Sequence, residues 1–77
     1  MKINLEYLKF MKIGDYASGS MVEVPDGCTV RDLLVQLKLP VYLQKTMIVL
    51  VNEQPVWNAT FLKENDTVKL VRMLSGG

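Results

Sequence analysis

Only one stretch of this chain has helical periodicity, and it is too short to stand alone. Val30, Leu33, Leu34 and Leu37 fall at i, i+3, i+4 and i+7, a single apolar stripe. Thr29 sits at the N-cap position with Asp32 three residues on, a capping-box variant. Its hydroxyl accepts an early backbone N–H, and the acid favours the positive end of the helix. Pro40 is expected to end the run. A helix of about ten residues does not persist in water by itself. Its stripe must therefore lie on a sheet, and the rest of the chain supplies one.

"KINLEY" alternates Ile3, Leu5 and Tyr7 with Lys2, Asn4 and Glu6, the pattern of a half-buried strand. The phase slips at Leu8 and Phe10, which marks a bulge or the end of pairing. A loop with Gly14 and Gly19 follows, then a short strand, "SMVEV", closed by Pro25. Beyond the helix, "MIVLV" is rich in β-branched residues. Asn52 to Pro55 reads as a turn, and "PVW" as a returning edge strand, where proline is tolerated. "NATFLKEND" is irregular, with one 3₁₀ turn expected. "TVKLVRML" is the last strand. The expected order is β–β–α–β–β–β, an α+β two-layer domain with one helix across one face of a mixed sheet of about five strands. The long crossover lets the last strand lie parallel to the first, in the centre.

Composition limits what such a domain can do. Seventy-seven residues form one thin-cored domain. With a net charge of +1 and no basic run, nothing points to nucleic acid. No apolar stretch approaches the ~20 residues of a membrane span, and no signal run follows Met1. A lone Cys28 cannot close an internal disulfide, which favours a reducing compartment, and the cytoplasm is the expected location. Histidine is absent, so Cys28 has no histidine to activate it, and no zinc or iron–sulfur ligand set exists. Cys28 is expected to pack at the helix start. Asp15 with Tyr16, Asp26, and Glu64 with Asp66 are loop-like, and charged loop residues are ordinarily solvated. "GDYASG" has neither P-loop nor dinucleotide spacing. Catalysis by this chain alone is not expected, nor is a bound cofactor.

What stands out is the ending, "VKLVRMLSGG". Residues 1–74 are expected to form the domain and 75–77 a flexible tail. Glycine makes up about 7% of residues, so a final pair arises by chance at about 0.5%. The bland reading is a frayed terminus. The functional reading is that Gly76-Gly77 enters a slot too narrow for any Cβ and delivers an α-carboxylate. A carboxylate is a poor electrophile, so a partner using ATP would have to convert it to an acyl adenylate.

The element order resembles the ubiquitin-like β-grasp sulfur carriers, the MoaD/ThiS family. So do "G-x-T-V-x-D-L-L" from Gly27 to Leu34, "V-x-V-N" from Val49 to Asn52, and "L-K-E-N-D-T-V-K-L-V" from Leu62 to Val71. This family includes the small subunit of molybdopterin synthase and the sulfur carrier of thiamine thiazole synthesis. The resemblance implies a β-grasp fold with Gly77 adenylated by an E1-like enzyme and converted to a thiocarboxylate. Gly76 and Ser75 would then lie in the partner's channel. Implied partners are that enzyme, which uses the ATP, and a sulfur-accepting synthase: the molybdopterin synthase large subunit or thiazole synthase. The long first loop looks molybdopterin-type and the proline-free ending thiamine-type, so both pathways stay open. A protein modifier conjugated through Gly77, or a plain interaction module, are the alternatives. The family's usual "N-G" turn and "G-D" step are here Asn52-Glu53 and Asn65-Asp66, and asparagine tolerates the positive φ both require.

A carrier must also dock. Parity puts Val68, Leu70, Val49 and Val51 toward the helix. It leaves Ile48, Leu50, Val71 and Met73 outward as an exposed apolar patch beside the tail, with Arg72 as an added charged contact.

Overall fold

The computed structural model describes residues 1–7, 13 and 16–72. Met73, Ser75, Gly76 and Gly77 of the expected site, and the loop residue Asp15, lie outside them. Seven elements follow in order: β1 (Lys2–Tyr7), β2 (Ser20–Glu23), α1 (Val30–Gln36), α2 (Val41–Lys45), β3 (Met47–Val51), β4 (Gln54–Pro55) and β5 (Thr67–Arg72). The sheet runs β2-β1-β5-β3-β4. β5 lies centrally, parallel to β1 and antiparallel to β3, as the long crossover allows.

Parity decides the core. Ile3 and Leu5 of β1, Val22 of β2, Val49 and Val51 of β3, and Val68 and Leu70 of β5 all turn to one face. There they join Val30, Leu33, Leu34 and Leu37 of the α1 segment in one buried cluster. Burying a side chain of this size contributes about 1.5–3 kcal/mol. That burial holds α1, which at seven residues has no stability of its own.

Both ends of α1 are chemically specified. Thr29 Oγ1 accepts the Asp32 N–H at 3.2 Å, and the Asp32 carboxylate accepts the Thr29 N–H at 3.1 Å, a closed capping box. The C-terminus corrects the expectation. Pro40 does not stop the helix. Lys38, at φ 58°, has already turned the chain, and α1 is shorter than the ten residues expected. The Lys38 N–H donates to Val35 C=O and the Leu39 N–H to Leu34 C=O, with Leu34 and Leu39 both buried. This is a Schellman stop with lysine where glycine is usual. Pro40 instead precedes α2, an added single turn in which the Gln44 N–H donates to Pro40 C=O at 3.1 Å.

Two tight turns at the starting end of β1 and β5 are tied together. Asn52 and Glu53 both have positive φ, 52° and 69°, as a two-residue type I′ hairpin loop requires. The β4 that follows comprises Gln54 and Pro55, one residue earlier and shorter than the expected "PVW", but at the sheet edge where proline fits. Asn52 Oδ1 accepts the Thr67 N–H, and Asn52 Nδ2 donates to Asp66 Oδ1 at 2.9 Å. The other oxygen of Asp66 accepts the Lys63 N–H at 2.8 Å, closing a turn whose Asn65 sits at φ 68°. Asp66 is thus buried and fully used, not solvated as loop acids usually are. Glu64 also has a structural task, accepting the Lys2 N–H.

Glu53 is the poorest fit in these turns. A non-glycine residue in left-handed backbone costs about 1–2 kcal/mol. Glycine would relieve this. It would also free the unfolded chain by about 0.4–1 kcal/mol and remove a half-exposed pair with Lys69 at 3.1 Å, worth little at the surface. Glu53→Gly is expected to raise unfolding free energy by about 0.5 kcal/mol, read from the urea midpoint.

Candidate functional site

The candidate site is the outward face of β3 and β5, with the chain that follows Arg72. Its geometry comes from register. Ile48 lies directly opposite Val71 and Leu50 opposite Lys69. All four point away from the helix, because Val49, Val51, Val68 and Leu70 between them point inward. Beyond Leu50, Pro55 of β4 is its register partner and is exposed. The apolar surface is therefore a short diagonal of Val71, Ile48, Leu50 and Pro55, broken by Lys69.

The patch is less open than expected: Ile48, Leu50 and Val71 are half-buried. Cross-strand neighbours shade one another on a pleated face, so an outward aliphatic in a central strand keeps only part of its surface. Arg72 closes β5 opposite Met47, the first residue of β3. The described part of β5 thus ends at the edge of this patch.

A feature the sequence reading missed lies alongside. Trp57 is 85% exposed. It borders an open groove of about 620 Å³ lined by Gln44, Met47, Ile48, Pro55, Val56 and Trp57 among others. The groove exists because β4 stops after two residues, leaving most of β3 without an outer strand. The signal was faint: a single tryptophan just after an edge proline, within a stretch that read as strand.

The remaining candidates have structural places. Cys28 is buried where α1 begins, and its thiol donates to Thr29 C=O at 3.3 Å. Burial, with a smaller contribution from the Asp32 carboxylate, pushes its pKa above the ordinary thiol value. Both causes disfavour the thiolate, the form that would attack. Folded protein is expected to react with an aromatic disulfide at pH 8 at least tenfold more slowly than urea-unfolded protein. The same shift makes the folded state hold its proton longer. Its contribution to stability is complete below the unfolded thiol pKa and is lost as pH rises through the folded one. Tyr16 is half-buried, and its carbonyl accepts the Tyr7 hydroxyl. Asp26 lies 3.4 Å from the Met1 amine. Among the described residues, no cluster of three or more His, Cys, Asp or Glu side chains could hold a metal. Nor is any helix among them long and apolar enough to cross a membrane.

A family model described as the ThiS family matches residues 5–77. Solved structures that share the fold include the following two. One, from Pyrococcus furiosus, is described as molybdopterin converting factor, subunit 1. It is 22% identical with a TM-score of 0.71, covering 95% of this chain and 98% of its own. The other is SAMP1 from Haloferax volcanii, 21% identical with a TM-score of 0.73 and full coverage of both chains. No protein of curated function matches.

Proposed function

The chain belongs to the ThiS family, small ubiquitin-like carriers or modifiers, and on that premise we propose that it is a sulfur carrier working through Gly77. The observation that carries this reading is the extent of the family match, which continues from the sheet through Gly76-Gly77. The described fold supports it. β5 is central, packed on both sides, and directs the chain toward that ending from a rigid strand.

The chemistry follows from what a carboxylate lacks. In this scheme an E1-like enzyme lets the Gly77 carboxylate attack the α-phosphate of ATP, releasing pyrophosphate. A sulfide-level donor then displaces AMP and leaves a thiocarboxylate. That group passes its sulfur to an intermediate of molybdopterin or thiamine synthesis, held by a synthase partner. The domain binds no cofactor and supplies no catalytic side chain. Ser75 and Gly76 thread the partner's channel. Ile48, Leu50 and Val71, with Met73 and Arg72, form the surface the partner rests on.

Incubation with the E1-like enzyme, ATP and a sulfur donor is expected to exchange one oxygen for sulfur in the intact mass, localised to Gly77. An unchanged mass rejects the carrier reading. Thiol-resistant adducts to lysines would instead identify a modifier conjugated through the same residue.

A further inference from the structure

Large apolar side chains left in water are unevenly placed on this fold. Those exposed among the described residues are Met21, Val35, Val41, Tyr42, Trp57 and Phe61. Only Met21 belongs to the sheet, on β2. The others lie on α1, α2 and the segment after β4. That segment is bound to the start of α1: Asn58 C=O accepts the Arg31 N–H at 3.0 Å, and Thr60 C=O accepts the Val30 N–H at 2.9 Å. The Thr60 N–H donates back to Trp57 C=O, so Trp57 and Phe61 flank one tight turn. Val35 stands one helical turn beyond Arg31. Val41 stands three residues before Gln44, on the same face of α2, and Gln44 lines the groove that Trp57 borders.

This edge of the molecule carries both a projection and a recess. Trp57 stands in water beside the groove without filling it. At about 620 Å³ the groove is within the range of pockets that bury a small ligand, and it has room for an indole. No charged residue lines it. A surface that holds both halves of a contact can meet a second copy of itself across a two-fold axis. The opposite sheet edge is guarded instead, because Gln36 Nε2 donates to Glu23 C=O of β2 at 2.9 Å.

We infer that this edge is a self-association surface, on which Trp57 of each copy enters the groove of the other. The available area sets its strength. Trp57 and Phe61 are 85% and 66% exposed, which offers about 300–400 Å² where a buried aromatic covers about 150–250 Å². Val35, Val41 and Pro55 add to this, and the sum approaches the ~800 Å² per partner of a standard interface without exceeding it. A dimer of that size, held by one aromatic anchor, is reversible, with a dissociation constant of about 100 μM. Ile48 and Pro55 belong both to the groove and to the outward diagonal, so a seated copy covers part of that diagonal too. Self-association of this kind needs no tail chemistry and stands apart from the carrier reading.

Trp57 is the single tryptophan of the chain, so its fluorescence reports the contact directly. From about 5 μM to about 1 mM protein, its emission is expected to move to shorter wavelength while sedimentation equilibrium shows the mass rising toward twice that of the chain. An uncharged contact should hold equally from about 20 to about 300 mM salt. Trp57→Ala is expected to leave the protein monomeric throughout, with its urea midpoint unchanged. Asn58→Asp keeps the reporter and a residue suited to the turn, but brings two like charges to the contact. It is expected to raise the dissociation constant about tenfold. Met21→Gln, at the other sheet edge, is expected to change nothing. A parent chain still monomeric at about 1 mM would leave the groove to a foreign partner and overturn the inference. So would an emission shift with no gain in mass, which would mean that the chain fills its own groove. Association that Trp57→Ala leaves intact, or that Met21→Gln abolishes, would overturn it as well.

Discussion

Gly76→Val is expected to lower kcat/KM for adenylation of this chain about a hundredfold and to leave its unfolding free energy unchanged. The first half follows from the proposed chemistry. A penultimate glycine lets the chain lie extended with no Cβ on either side, so its walls can close around the backbone and fix the carboxylate against the α-phosphate. Two methyls in that space push the reacting oxygen out of line, and a displacement of about 1 Å suffices for a loss of about 10²-fold. The second half follows from the fold. Among the described residues, the core runs from Ile3 to Leu70, all of it upstream of the substitution. A matched Gly76→Ala variant should fall between valine and the parent, because one methyl intrudes less than three carbons. The measurement is pyrophosphate exchange beside a urea melt on the same preparations. Equal exchange by all three variants would remove the slot from the account. A stability loss would instead mean that Gly76 packs on the domain.

The division between what could and could not be read from the chain has a physical basis. Features set by local chemistry were legible. The capping box at Thr29 and Asp32, the alternation in β1, and the inward parity of Val49, Val51, Val68 and Leu70 all stand as the pattern implied. So does the central place of β5, which chain length and handedness leave little choice about. Features set by a contest between two local rules were not. Pro40 reads as a helix stop because it cannot continue one, yet a proline equally suits the opening of the next helix. Which role it takes depended on Lys38 accepting a left-handed turn, and lysine carries no such signal. Asp66 looked like any loop acid because Asn52, the partner that takes its other oxygen beyond the local Lys63 N–H, is brought to it only by the pairing of β3 with β5. Trp57 was overlooked for the opposite reason. Its exposure follows from how little of β3 the edge strand covers, a length no pattern in the sequence specifies. The site was therefore legible as a face of the sheet and a terminal motif, while its shape was not.

That legible face gives the sharpest contrast between neighbours. Leu70→Ala is expected to cost about 3–4 kcal/mol, and Val71→Ala less than about 1 kcal/mol. Leu70 is completely buried at the centre of the sheet, with Tyr7 and Val49 as its register partners. Truncation there leaves a cavity that the paired strands on both sides cannot close, which places it high in the usual range. For a domain of this size total stability is about 4–12 kcal/mol, so the variant stands close to unfolding at physiological temperature. Val71, one residue on, points the other way against Ile48 and is half-buried. Its loss removes a little cross-strand contact from a surface water already reaches. In binding the order should invert. If the diagonal of Val71, Ile48 and Leu50 is where a partner rests, Val71→Ala should weaken binding about tenfold, as truncation of a central apolar contact does. Conditions that keep Leu70→Ala folded should show near-parent affinity for it. Denaturant melts and titration calorimetry against the E1-like enzyme resolve the two scales. A Val71 variant that loses stability like Leu70, or binds like the parent, would mean that the outward face of β5 is not the docking surface.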